Sequence, residues 1–431
     1  MELKELIIET LKREVVPAMG CTEPVAVALA CAKAKELLYF REIEKVKVLV
    51  SPNIYKNGMC VGIPHTGEVG LEIAAALGIT GGQSEKDLQV LEGITDRKVH
   101  AAQNLLKSGK LHLGMKDTQE KVYVEVCLET DAGRAEVVIR GRHNQFMSIK
   151  VEGQELLHLD SAPAATEEEE DSPYVFRIRD IIGAIETLSL ENIGFLLEGL
   201  EMNEKVARAA LCQDMGMGVG IGLYQSMQNG ILSDDFINHA MMLTAAGADA
   251  RMSGFTMPVM SSNGSGNNGL TTILPIVAYR NKYPVEEEKL AKALAMSHMV
   301  NGYIKHHIGR LSALCGCGVA SSTGAAVGIA WLMGANQEQI DGVIKNMIAN
   351  ISGMICDGAK VGCALKLATA ASTAIQSAIL ALNNKIVPSK NGIVGETAEE
   401  TIKNLGRLGQ DGMDGTDHVI LKIMKEMQMA G

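Results

Sequence analysis

The spacing of apolar residues along this chain follows two regimes that meet near residue 172. In the first, short alternating stretches are interleaved with helical ones. Residues 1–16 carry apolar side chains at helical spacing and stop near Pro17, whose fixed φ and missing N–H end a helix. Thr22 stands where a cap belongs, with Glu23 and Pro24 in the first turn of a second helix running to about Tyr39. Residues 46–50 alternate with the period of a half-buried strand, and 122–126, 135–139 and 147–151 are further strand candidates. Residues 67–77 read as a helix of small residues, stopped by Gly78 and by Gly81-Gly82. In the second regime the pattern is almost wholly helical. Residues 286–299, 324–332, 337–354 and 364–382 all carry helical spacing, broken by Gly-rich turns. The pattern predicts an α+β fold, with a mixed domain over 1–172 and a larger all-helical domain over 173–431. The boundary is the segment 162–173, where prolines flank the acidic run 167–171, a composition that stays in solvent.

Composition narrows the class. The 431 residues are 47% hydrophobic but only 3% aromatic, so the core is aliphatic, and Gly 45 and Met 23 point to close helix contacts and adaptable packing. A formal net charge of -11 argues against nucleic acid as a partner, because phosphate binding needs clustered Lys and Arg. The charged, amphipathic N-terminus lacks the apolar run of a secretory signal, and nine cysteines then suit a reducing cytoplasm. No apolar stretch is read as reaching the roughly 18–20 residues of a membrane span; residues 324–335 come nearest and read as a buried helix. Gly- and Ala-rich helical faces leave a homodimer open.

Four cysteines bear on chemistry. Cys315 lies in Leu314-Cys315-Gly316-Cys317, and Cys356 and Cys363 close the segment 356–363. Three thiolates can hold an iron–sulfur cluster and leave one iron without a protein ligand, and an open iron is a Lewis acid. These spacings are not those of ferredoxins or zinc ribbons, and on spacing alone buried structural thiols remain the competing reading. Cys31, Cys60, Cys127 and Cys212 read as structural. Cys21 lies in the turn Gly20-Cys21-Thr22-Glu23-Pro24, where a helix N-terminus would lower its pKa and could hold a carboxylate, although on these residues alone an ordinary capping turn is the favoured reading. The segment 260–269, with three Ser, three Asn and three Gly, cannot be core by composition and reads as a nest of N–H groups for a carboxylate or phosphate, with a flexible linker as the competing reading. Ser261, Ser262, Asn263, Ser265 and Asn267 are its candidate donors, with Thr22 beside them. Two polar turns, 51–58 and 63–67, either line a cleft or are simply turns. His143 and His298 are single histidines, which are more often structural than catalytic. Asp249 and Arg251 form a charged pair either orienting the 260–269 loop or lying on the surface.

Taken together, 20–24, 51–58, 249–254, 261–269, 311–315 and 352–359 resemble the L-cysteine desulfidase family, a relative of the iron–sulfur L-serine dehydratases. The resemblance runs nearly end to end. It implies an α+β domain facing an all-helical one across the active site. It implies a [4Fe–4S] cluster on Cys315, Cys356 and Cys363, with Cys317 a close rival to Cys315, and a Gly20–Pro24 turn that reaches the active site. Ser321 stands where serine dehydratases place a ligand, and residues 428–431 carry no cysteine; both departures favour the desulfidase branch.

The reaction implied is α,β-elimination on a small L-amino acid. L-Cysteine would give pyruvate, ammonia and sulfide, and L-serine would give pyruvate and ammonia. Cys21 is the first candidate base, with His65, Lys56 and His298 behind it. A pyridoxal-phosphate lyase performs the same eliminations, with the Ser/Asn/Gly loop around its phosphate. A metal- or redox-sensing protein would use the cysteines but leave the polar loop without a role.

Overall fold

The structure is a computed structural model and describes residues 2–159, 172–309, 311–413 and 415–429. It has an α+β fold. Most of the proline- and glutamate-rich boundary segment lies outside the described residues; Ser172 and Pro173 open a short 3-10 turn.

The sheet half is built on six strands. These are β2 (Ile43–Val50), β3 (Leu111–Met115), β4 (Tyr123–Thr130), β5 (Gly133–Arg140), β6 (Phe146–Val151) and β7 (Gln154–His158), in the order β3-β2-β4-β5-β6-β7. Only β2 and β3 run parallel. Residues alternate between buried and half-exposed along β4 and β5, as expected of an antiparallel sheet with one covered face. The cover is helix α2 (Thr22–Glu36), which packs on β4 and β5, with the Leu71–Gly81 helix against it. That helix starts four residues later than expected and continues past Gly78. A Cβ on Gly78 would lie 2.4 Å from the Ala28 carbonyl, so the glycine permits a close helix crossing instead of ending the helix.

The helical half surrounds the Phe236–Met252 helix, whose Ala and Gly residues are buried on all sides. The expected helices are present as Glu287–Ile308, Ser322–Leu332, Gln337–Ile351 and Cys363–Leu382. The last is long and apolar enough to cross a membrane, which corrects the reading that no stretch is. More than half of its most apolar window is buried, and it packs against the Phe236–Met252 helix.

The two ends of the chain cross between the halves. Helix α1 (Leu3–Glu14) places Ile7 and Leu11 in the helical core. Strand β1 (Pro17–Ala18) then pairs with β8 (Val259–Met260). At the other end, the Thr416–Met429 helix packs on α3 (Pro52–Gly58) of the sheet half. The chain therefore passes from one half to the other at Met19–Cys21, beside the start of α2.

Candidate active site

One pocket gathers Cys21, Cys315, Cys317, Cys356 and Cys363. The two distant cysteine segments are stitched together by an isolated β-bridge between Leu314 and Ile355. Cys315 N donates to Met354 O (2.8 Å) and Cys356 N to Ala313 O (2.7 Å). Cys317 opens a π-helical turn, Cys317–Ser321, and Cys363 opens its helix, so both stand at the positive end of a helical segment. The Cys356 loop is held from behind. A Cβ on Gly358, at φ +95, would meet the Lys56 carbonyl at 2.5 Å, so only glycine fits there. The Cys315 thiol is lowered to about 7 by a hydrogen bond from Cys317, against burial and with help from the Gly318 N–H and Lys366. Cys317 is raised by donating that bond. Burial raises Cys356, and pushes Cys363 up to about 11. Among the described residues, no three His, Cys, Asp or Glu side chains are placed to hold a single metal ion.

A polar side of the same pocket is organised by Arg251. Its guanidinium donates to Gly20 O (2.9 Å) and to Asn267 Oδ1 (3.0 Å), joining the Gly20–Pro24 turn to the start of the Gly266–Lys282 helix. Nε remains buried without a partner, and so does Nδ2 of neighbouring Asn268. The first-turn N–H groups of that helix have no intrahelical acceptor. Asp249 does not pair with Arg251. It accepts from the backbone N–H groups of Met217 and Gly220, on another loop.

The 260–269 segment is not an exposed loop, as its composition suggests, but is buried. Ser261, Ser262, Asn263 and Asn267 are each less than a tenth exposed. Five of its N–H groups are engaged by backbone carbonyls: Ser261 with Val16, Ser262 with Ser265, Asn263 with Glu14, Ser265 with Ser262, and Gly269 with Ser265. The free donors belong to the helix start instead. Asn263, Ser265 and Asn267 line the pocket, whereas Ser261 and Ser262 are not among its lining residues. Ser261 Oγ bonds Val16 O (2.6 Å). Ser262 Oγ accepts from Asn301 (2.9 Å) and Asn263 (3.1 Å), so its own proton goes to His298 Nδ1 (2.8 Å). His298 is thus a buried neutral imidazole behind the loop, and burial lowers its pKa to about 3.

The other candidate bases change rank. Cys21 caps α2 and faces the pocket, but burial pushes its thiol up to about 12, outweighing Arg251 and reversing the expected helix-end effect. Lys56 is buried in an ion pair with Asp417 (2.6 Å) and donates to Cys356 O (3.1 Å), so it positions the cysteine loop rather than taking protons. His65, at φ +70, lies in a turn outside the pocket lining. Thr22 is in the first turn of α2 and donates to Glu23 Oε2 (3.2 Å). His143, from the β5–β6 loop, is buried and is the single imidazole among the described pocket residues.

Residues 85–422 match the serine dehydratase alpha chain family. The chain belongs to that family. The match covers part of the sheet half and nearly all of the helical half. Similar chains include UPF0597 proteins of Alkaliphilus oremlandii, 63% identical over 99% of this chain and 100% of that one. Another, of Clostridioides difficile, is 54% identical over 97% and 99%, and one of Bacteroides fragilis is 44% identical over 98% of each. Within this serine dehydratase relative, Glu23, Asn57, Asn268, Lys305 and Lys366 also line the pocket but were not among the expected site residues. One signal was present in the sequence. Arg251 is the sole basic residue in the apolar 240–252 stretch, and such a residue is buried only with a purpose.

Proposed function

We propose that this pocket catalyses α,β-elimination on a small L-amino acid, with L-cysteine as substrate and pyruvate, ammonia and sulfide as products. L-Serine, losing water by the same route, is the second substrate to test. The observation that supports this reading is a pocket that combines four cysteines of the helical half with buried, unpartnered donors. Cys315, Cys356 and Cys363 would hold a [4Fe–4S] cluster, with Cys317 the neighbouring thiol. The residues fit such a group. Each ligand of a cubane binds its own iron, so the thiols must surround a space rather than meet at one point. Four thiols around one pocket meet that demand, and two of them lie at helix starts that favour negative charge. When bound, a cluster with three protein ligands supplies an open iron as a Lewis acid for the β-substituent.

The chain's own residues do the rest. Asn268 Nδ2 and the first-turn N–H groups of the Gly266–Lys282 helix, beside the Arg251 positive charge, hold the substrate carboxylate and stabilise negative charge growing at Cα. His143 takes the Cα proton on an imidazole nitrogen. Cys21, kept protonated at neutral pH by burial, serves as a hydrogen-bond donor rather than a base. The 2-aminoacrylate released tautomerises and hydrolyses to pyruvate and ammonia. Thiolate is the softer partner for iron, which favours L-cysteine over L-serine. An air-sensitive cluster and nine cysteines suit a reducing cytoplasm, where we place the protein.

A pyridoxal-phosphate lyase needs a lysine amine free for a Schiff base. Of the two pocket lysines, Lys305 donates to Asn263 O (2.8 Å) and Lys366 is paired with Asp357 (2.5 Å). The test is turnover by anaerobically purified protein, reading sulfide and pyruvate from L-cysteine and pyruvate from L-serine. Faster release from L-cysteine is expected. Pyruvate from neither substrate would overturn the reading.

A further inference from the structure

Glu23 is a buried carboxyl group, 8% exposed, in the first turn of α2 at the edge of the pocket. Its two hydrogen-bond partners are neutral: Asn57 Nδ2 to Oε1 (3.0 Å) and Thr22 Oγ1 to Oε2 (3.2 Å). Among the described residues no Lys, Arg or His side chain forms an ion pair with it. A buried charge without a partner is costly, and native proteins seldom keep one without a use for it.

Asn57 makes the arrangement directional. It is 6% exposed and lines the same pocket. A carboxylate only accepts, so the amide must turn its NH2 toward Glu23 and its oxygen away. That oxygen, Oδ1, is buried with no partner. The pocket therefore holds two kinds of unmet hydrogen-bonding capacity. Asn268 Nδ2 is a donor without an acceptor, beside the positively charged Arg251 side chain. Asn57 Oδ1 is an acceptor without a donor, beside a carboxyl group without a cation. A zwitterion supplies both complements, since its carboxylate accepts and its ammonium donates three hydrogen bonds.

We propose that Glu23 and Asn57 form the seat for the α-ammonium group of the substrate and so restrict the pocket to α-amino acids with a free amine. The assignment rests on the reading of the ligand as an amino acid and names the residues that enforce it. A carboxylic acid or α-hydroxy acid of the same size would satisfy the donors and leave Glu23 unpaired.

The experiment is calorimetric binding of two unreactive probes, L-alanine and propanoate, to anaerobically purified protein. Wild type is expected to bind L-alanine at least about tenfold more tightly than propanoate. Glu23→Gln is expected to weaken L-alanine about 10–100-fold and leave propanoate unchanged. Asn57→Leu, which leaves the carboxyl group in place, is expected to move L-alanine alone in the same direction. Equal weakening of both probes, no change in either, or no wild-type preference for L-alanine would overturn the assignment. Neither probe can eliminate, so this outcome is separable from the turnover assay. A protein that selects L-alanine but releases no sulfide or pyruvate would keep the seat and lose the proposed reaction.

Discussion

Arg251 joins two segments more than two hundred residues apart, by its bonds to Gly20 O and Asn267 Oδ1, with Nε packed over Gly266 while the side chain lines the pocket. The two bonds leave from separate guanidinium nitrogens, a fork that a single lysine ammonium does not reproduce, so replacement by lysine loosens the join between the Gly20–Pro24 turn and the Gly266–Lys282 helix. Arg251→Lys is expected to raise KM for L-cysteine about 10–100-fold; steady-state kinetics would check this, and an unchanged KM would refute it. His298 gives a pH prediction. Its pKa falls from 6.5 to about 3 on burial, so the unfolded chain binds the proton that the native one refuses. The stability contributed is present above pH 6.5 and is lost as pH falls toward 3. Between pH 6.5 and 5 wild type should lose about 2 kcal/mol more than His298→Asn. Urea titrations at the two pH values would show it, and parallel losses would contradict it. At this scale the cysteines could be read from the sequence because their residue type restricts their chemistry. Glu23 and Asn57 could not, since a first-turn acid and a turn amide have common structural uses.

The elements that place the cysteines are short: a single β-bridge, one π-helical turn and a loop held by Gly358. Behind them lies the ion pair of Lys56 with Asp417, which fixes the Thr416–Met429 helix on α3 while Lys56 also holds the Cys356 carbonyl. Asp417→Asn would leave a lysine ammonium buried without its partner. The expected cost is about 3 kcal/mol, read as a lower urea midpoint at unchanged slope. A cost below about 1 kcal/mol would place the pair among ordinary surface pairs. Long helices such as Gln337–Ile351 were legible from their period. The helix expected at 67–77 was displaced because Gly67 and Gly70 adopt positive φ and form the turn before it. Strand β3, Leu-His-Leu-Gly-Met, has no β-branched residue, and its pairing with β2 is what makes it a strand. Helix α3 has seven residues, too few for a periodic signal, and it carries both Asn57 and Lys56.

At the scale of the whole molecule, the α+β class and the succession from sheet to helices were visible in the change of period. The crossing of the termini was not. Helix α1 sits in the helical core and the Thr416–Met429 helix on the sheet half, through contacts that no local pattern encodes. The same holds for the pocket, whose polar side needs residues 20, 57, 251 and 268 brought together. This assembly of distant segments around three cysteines is the basis of the proposed chemistry. Its most direct test compares wild type with Cys356→Ala, both purified without oxygen, for iron and acid-labile sulfide content and for sulfide release from L-cysteine. Wild type is expected to carry about four irons per chain and to be active, and the variant to lose both together. A colourless, iron-free Cys356→Ala that releases sulfide at the wild-type rate would contradict a cluster-based elimination.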